Sequence, residues 1–63
     1  MNPLMNPLLS PQETAAVLNA KVQNVYKLIR DKRLRAIRIG RLIRIRKEDL
    51  VSFIEAKLHE SAL

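Results

Sequence analysis

The chain has 63 residues, of which 48% are hydrophobic, and carries a formal net charge of +6 at pH 7. A chain of this length forms at most one small domain and buries only about 60% of the surface that it exposes when unfolded. It contains no cysteine, which excludes disulfides and thiolate metal sites and is compatible with a reducing cytoplasm. The apolar runs are too short for a membrane span, and the N-terminus lacks the pattern of a signal peptide, so we expect a soluble intracellular protein.

The positive charge is concentrated in one part of the chain. Residues 21–47 hold eleven of the twelve lysines and arginines and a single acid, Asp31, which gives the segment a charge of +10. The rest of the chain carries −4. A concentrated basic zone indicates a polyanionic partner, and we favour nucleic acid over an acidic membrane surface.

The termini show few signals of regular structure. The first eight residues, MNPLMNPL, contain two Asn-Pro steps, which disfavour helix and strand. We predict a flexible lead-in over residues 1–8, a folded domain over residues 9–58 and a frayed C-terminus over residues 59–63.

Several start signals of a first helix coincide after the lead-in. Ser10 is a suitable N-cap, Pro11 suits the first helical position, and Glu13 completes a capping box with the serine. The helix should end near Asn19, because asparagine tolerates the left-handed conformation that commonly ends helices. Its buried face should consist of Leu9, Ala15 and Leu18.

A second helical pattern follows after one or two residues, and it predicts a helix from Val22 to Lys32. Its buried face should consist of Val22, Val25, Leu28 and Ile29. The opposite face carries Gln23, Lys27 and Arg30, with Asn24 and Tyr26 on its flanks. Two short helices joined by so tight a turn favour a helix-turn-helix.

Residues 35–46, RAIRIGRLIRIR, alternate in polarity around the only glycine and predict a β-hairpin. A two-residue loop at Gly40 and Arg41 would mix isoleucine and arginine on each face. We predict instead a three-residue loop over residues 40–42, because it gives one apolar face. That register pairs Ile39 with Ile43, Ile37 with Ile45, and Arg38 with Arg44. Like charges placed opposite each other destabilise a sheet, so we interpret the two arginines as a clamp for a phosphate.

The last segment, KEDLVSFIEAKLHESAL, predicts a third helix. Glu48 and Asp49 lie in its first turn, where the helix dipole favours acids. Its apolar residues, which should close the core, are Leu50, Phe53, Ile54 and Leu58. The predicted fold class is therefore mainly α with a β-hairpin, in the order α-α-β-β-α.

Taken together, these motifs resemble those of the excisionase-type DNA-binding domains, whose fold is a winged helix-turn-helix similar to that of MerR-like regulators. The residues that match are Glu13, Ala15, Leu18, Val25, Tyr26, Leu28, Ile29, Leu34, Ala36, Arg38, Ile39, Gly40, Arg44, Ile45, Asp49 and Leu50. The resemblance covers residues 9–56. It departs from the family at Asn19 and Lys32, where glycines are usual, at Arg35, where proline is frequent, and at Lys21, where a serine or threonine cap is usual.

The resemblance implies that the second helix enters the major groove of double-stranded DNA, while the hairpin wing reaches the backbone or the minor groove. Proteins of this type bind short repeated sites, often cooperatively. Excisionases among them are recombination directionality factors, which help the integrase of a phage or mobile element to run excision. Others regulate transcription, and the resemblance does not separate the two roles.

We assign candidate DNA contacts by side-chain chemistry. Asparagine and glutamine bind adenine bidentately and lysine reaches guanine, so the predicted base contacts are Gln23, Asn24 and Lys27. Phosphate contacts come from basic and hydroxyl side chains, and the predicted ones are Lys21, Tyr26, Arg30, Arg35, Arg38, Arg44 and Arg46. An equal alternative for Tyr26 is that its ring covers the edge of the core. The predicted wing tip is Gly40 and Arg41, with Arg41 entering the minor groove.

We find no catalytic triad, metal cluster or phosphate-binding glycine loop, so we expect no enzymatic activity, metal, cofactor or small-molecule ligand. The expected partners are double-stranded DNA, a tyrosine or serine integrase, and further copies bound head to tail on DNA. Those copies would meet through Glu48, Glu55 and Glu60, or through residues 1–8, and we expect a cytoplasmic location at the nucleoid. Three hypotheses stay open: an excisionase, a small transcriptional regulator, and a module for an acidic partner or membrane.

Overall fold

The computed structural model describes residues 7–61, which form three helices and one small antiparallel sheet. In chain order the elements are β1 (Leu8–Leu9), α1 (Pro11–Leu18), α2 (Val22–Arg30), β2 (Ile37–Ile39), β3 (Leu42–Arg46) and α3 (Lys47–Glu60). The predicted order α-α-β-β-α is confirmed, and it is the order of a winged helix-turn-helix. We use "wing" for β2, β3 and the loop between them.

Helix α1 begins and ends with the predicted local interactions. The Glu13 backbone N–H donates to the Ser10 hydroxyl at 3.0 Å, and the Ser10 N–H donates to the Glu13 carboxylate at 2.9 Å. At the other end Asn19 has a φ of 52°, and the Ala20 N–H donates to the Ala15 carbonyl at 2.9 Å. This bond closes the end of α1 and starts the tight turn into α2.

Helix α2 is shorter than predicted, because it ends at Arg30 and not at Lys32. Lys32 has a φ of 60°, and the Arg33 N–H donates to the Leu28 carbonyl at 2.9 Å. These are the features of a Schellman motif, in which a left-handed residue satisfies the last helical carbonyls. The chain therefore turns at Lys32, although a lysine there is less favourable than a glycine.

The sheet contains a strand that the sequence analysis did not predict. Strand β1 pairs with β3, with Leu8 opposite Arg46 and Leu9 opposite Ile45, so the strand order is β1-β3-β2. The predicted lead-in overlaps this strand at Leu8, and residues 1–6 lie outside the described residues. Two residues are too few to show a period of alternation, and only the partner strand supplies the hydrogen bonds.

The predicted three-residue loop of the wing is wrong. Ile39 pairs with Leu42, and Arg38 pairs with Ile43, which leaves Gly40 and Arg41 as a two-residue loop. Gly40 has a φ of +61°, and a glycine with positive φ at the first loop position is typical of a type II′ turn, which fits the twist of paired strands. Turn geometry therefore sets the register here.

The observed register also changes the faces of the wing. Ile37 lies opposite Arg44, so Arg38 and Arg44 fall on opposite faces of the strand pair. The predicted pairing of these two arginines, and with it their clamp on one phosphate, is therefore wrong. One face of β3 still points inward through Ile45, which is fully buried.

The core is small and uses every element except β2. Its buried hydrophobic residues are Leu9, Ala15, Val25, Leu34, Ile45 and Leu50. The prediction that α3 buries four apolar residues is wrong for two of them, because Ile54 is 41% exposed and Leu58 is 73% exposed. A 14-residue helix is about 21 Å long, so its C-terminal turns extend beyond so small a core.

Candidate nucleic-acid interface

Helix α2 presents a polar face on one side of the molecule. Val25 is fully buried, and the other predicted inward residues, Val22, Leu28 and Ile29, pack against the core. The three predicted base-contacting residues, Gln23, Asn24 and Lys27, are all exposed. The helical period thus places them where a groove of DNA can reach them.

A cleft lies between the wing and the start of α1, with Tyr26 of α2 in its wall, and it joins several of the predicted contacts. It has a volume of about 320 Å³ and is lined by Ser10, Pro11, Gln12, Tyr26, Arg41, Leu42, Ile43 and Arg44. We call it the wing cleft. Its lining contains two arginines and no acid, which favours an anionic occupant. Tyr26, 43% exposed, lines the cleft from α2, so one of the predicted contacts of α2 lies beside the two arginines of the wing.

Arg44 is held in place within the wing cleft. Its guanidinium donates to the Ile43 carbonyl at 2.7 Å, and the side chain is half-buried. A guanidinium has five N–H donors, so this bond leaves donors for a phosphate while it restricts the side chain. Arg38 and Arg41 are exposed.

Arg46 has a partner that the sequence analysis missed. Its guanidinium donates two hydrogen bonds to the Asp49 carboxylate, at 2.8 and 3.1 Å. These bonds hold the pKa of Asp49 below its ordinary value, and the nearby charge of Arg35 lowers that pKa further. Asp49 in turn raises the pKa of Arg46. The pair fastens β3 to the first turn of α3, and its three-residue spacing at a helix start was the signal that could have revealed it.

The remaining basic candidates lie in different places. Lys21 is exposed directly before α2, and Arg30, near the end of α2, lies 3.6 Å from Asp31 in a largely exposed ion pair. Arg35 lines a separate groove of about 570 Å³ beside α3, together with Arg33, Phe53 and Lys57. The structure therefore brings Tyr26, Arg41 and Arg44 together but does not bring Arg35 to them.

The described part of the chain contains neither a membrane-spanning helix nor a cluster of metal ligands. Between residues 7 and 61 no helix has the length and apolar character needed to cross a bilayer. Within the same range no three histidine or acidic residues are grouped as ligands of a metal ion would be.

A family comparison agrees with this geometry. The model of the helix-turn-helix domain family matches residues 8–58, and the chain belongs to this family. No curated protein and no solved structure gives a significant match. The protein is therefore a small DNA-binding protein that binds double-stranded DNA through a helix-turn-helix, and proteins of this family are typically not enzymes.

Proposed function

We propose that the protein is an excisionase, a recombination directionality factor that binds repeated DNA sites cooperatively, bends the DNA and directs an integrase toward excision. The observation that carries the proposal is the wing cleft, where Tyr26 of α2 and two arginines of the wing line one acid-free surface. The resemblance of residues 9–56 to excisionase-type domains supports the recombination role. Such a protein would act at the nucleoid in the cytoplasm, on DNA of a phage or mobile element.

In the proposed complex α2 lies in the major groove. Gln23 and Asn24 read adenine through bidentate hydrogen bonds, and Lys27 reaches guanine. The exposure of all three side chains supports this assignment. Each good base contact is worth about 1–3 kcal/mol of discrimination against the wrong base.

Phosphate contacts in this proposal surround the helix and the wing. The residues that we assign to them are Lys21, Tyr26, Arg30, Arg38 and Arg44, and Arg41 enters the minor groove from the loop after Gly40. Arg35 and Arg46 have weaker support, because Arg35 lines another groove and Arg46 is bonded to Asp49. Phosphate contacts position the protein on the duplex, while base contacts select the sequence.

Self-association on DNA is proposed to involve α3. Glu48 and Glu55 are exposed, and they lie beside an exposed aliphatic stripe formed by Val51, Ile54 and Leu58. Glu60 forms an ion pair with Lys57 at 3.3 Å. The acidic side chains of this face are complementary in charge to the basic zone, residues 21–47, of the next copy. This complementarity supports head-to-tail binding. The alternative contact through residues 1–8 lies largely outside the described residues.

The proposed role predicts that an integrase is encoded beside the gene of this protein, and that integrase is used to test it. The purified chain is added to that recombinase and a plasmid carrying the two attachment-site ends, and the yield of excision is measured. We expect the wild type to raise the yield and Asn24→Ala to abolish the increase. Ala16→Ser, a substitution of an exposed residue of α1 to which we assign no contact, is the control and should retain it.

Binding measurements separate the excisionase from the two other hypotheses, a transcriptional regulator and a membrane or acidic-partner module. Binding to promoter repeats without any change in excision would contradict the excisionase role and favour a transcriptional regulator. Anionic vesicles bound more tightly than DNA at about 0.15 M salt would contradict both roles and favour a membrane or acidic-partner module. A binding isotherm on multi-site DNA without cooperativity would contradict head-to-tail association.

A further inference from the structure

The outward face of the wing is apolar at its tip, although the wing is short and surrounded by charge. Ile39 and Leu42 are each 52% exposed, and Ile37 on the same face is 40% exposed. The predicted three-residue loop would have placed Ile37 and Ile39 on the buried side of the hairpin. Aliphatic side chains left in water do not stabilise the fold. Three of them on one face therefore mark a candidate contact surface.

The register places two of these side chains at the end of the wing. Ile39 pairs directly with Leu42 across the two-residue loop, and directly opposed side chains have Cβ atoms about 5 Å apart. Together they form a single aliphatic tip. Ile37 lies two residues back along the strand, about 7 Å from Ile39.

The surroundings of the tip favour DNA as its occupant. Leu42 lines the wing cleft together with Arg41 and Arg44, and the cleft contains no acid. Arg38 is exposed on the other face of the wing. DNA offers both kinds of contact. Its phosphates suit the arginines around the tip, and the stacked bases in its minor groove accept aliphatic side chains.

We propose that Ile39 and Leu42 act as a wedge that enters the minor groove and partly unstacks one base step, so that the DNA kinks. The proposal rests on the proposed DNA-binding function and deepens it, because it names the side chains that deform the duplex. Arg41 and Arg44 hold the flanking phosphates while the wedge enters. Pyrimidine–purine steps are the preferred point of entry, because they unstack most easily.

Ring closure of DNA tests the wedge without knowledge of the target sequence. A mixed-sequence fragment of about 150 bp, close to one persistence length, rarely closes by itself. We expect the wild type to accelerate its ligation into circles, and Ile39→Ala and Leu42→Ala to lose most of that acceleration at matched occupancy. Ile37→Ala, the same substitution on the same face but away from the tip, should retain it.

A second measurement is independent of bending geometry. A mismatched step is already partly unstacked, which removes part of the cost of insertion. We expect the wild type to bind a short duplex with a central T·T mismatch about tenfold more tightly than the matched duplex, and Leu42→Ala to bind both equally. Circular dichroism of each variant checks that the domain remains folded.

The outcomes separate this inference from the proposed function. If the wild type binds no duplex at all, the DNA-binding function itself fails. If it binds but Leu42→Ala and Ile39→Ala close rings as well as the wild type, the wedge is overturned and the function stands. A third outcome is that Ile37→Ala and Leu42→Ala lose ring closure equally and both bind multi-site DNA with reduced cooperativity. In that case the face contacts a second protein copy, and the wedge is again overturned.

Discussion

Lys32 shows how a single residue limits the stability of this domain. Its φ of 60° lies in the left-handed region, which costs a residue with a side chain roughly 1–2 kcal/mol. The turn after α2 nevertheless needs this conformation, because Arg33 bonds back to the Leu28 carbonyl. A glycine at this position should therefore make the domain more stable.

We predict that Lys32→Gly raises the free energy of unfolding by about 1 kcal/mol, because glycine adopts this conformation without a steric penalty. Urea unfolding followed by circular dichroism measures the change. Lys32→Ala removes the same charge but keeps the strain, so it should have little effect. Equal stabilisation by both variants would assign the gain to charge and not to the backbone.

Thr14 is the second residue with an unfavourable local environment. Its side chain is fully buried, and its hydroxyl has no hydrogen-bond partner among the residues that the structure describes. We predict that Thr14→Val, which has nearly the same shape, raises the free energy of unfolding by about 1 kcal/mol. Thr14→Ser keeps the hydroxyl and loses a methyl group, so it should lower that energy by about 1 kcal/mol. A loss of stability in the valine variant would show that the hydroxyl is satisfied in solution.

At the level of elements, the bond between Arg46 and Asp49 joins the sheet to α3. The hydrogen bonds from Arg46 lower the pKa of Asp49 in the folded protein. A lowered folded-state pKa stabilises the fold above the ordinary carboxyl pKa, and this stabilisation disappears as the pH falls through the folded-state value. The junction should therefore weaken in acid.

We predict that Asp49→Asn is less stable than the wild type at pH 7 and that the difference shrinks as the pH falls below about 4. Thermal unfolding of both proteins over this pH range measures the difference. Glu55→Gln, a substitution of an exposed acid later in α3, is the control and should show a smaller effect. A stability difference between the two proteins that does not change with pH would mean that the charge of Asp49 does not stabilise the fold.

At the scale of the whole molecule, the basic zone determines how binding responds to salt. A complex that neutralises five to eight phosphates has a slope of roughly −5 to −7 in a plot of log affinity against log salt concentration. We do not expect the arginines to contribute equally to this slope, however. Arg44 lies in the wing cleft, whereas Arg46 is bonded to Asp49.

We predict that Arg44→Ala reduces the magnitude of this slope by about one unit and weakens binding to all sequences alike. Arg46→Ala should change the slope less and should instead lower the thermal midpoint, because it removes the bond to Asp49. Fluorescence anisotropy with one duplex at several salt concentrations measures the slopes. Equal slopes for the two variants would contradict the different roles that we assign to these arginines.

Local signals predicted the elements well where neighbouring residues supply the interactions. The capping box of Ser10 and Glu13 and the turn at Asn19 follow from contacts within five residues, and the structure shows both. The exposed face of α2 follows from the helical period alone. The candidate base-contacting residues on that face were therefore placed correctly, although their contacts with DNA remain a prediction.

The amino-acid sequence was sufficient for three helices, a hairpin, a concentrated basic zone and an exposed polar face of α2, because short-range bonding, periodicity and composition encode these features. Strand β1, the register of the wing and the exposure of Ile54 and Leu58 emerged only from the folded chain. The pairing of β1 depends on segments that are distant in the sequence, and the register depends on the backbone conformation of the turn at Gly40 and Arg41. The exposure of Ile54 and Leu58 depends on how far a small core extends along a long helix. The exposure of Ile39 at the wing tip belongs to the same group, because the two-residue turn moved this side chain from the expected buried face to the surface.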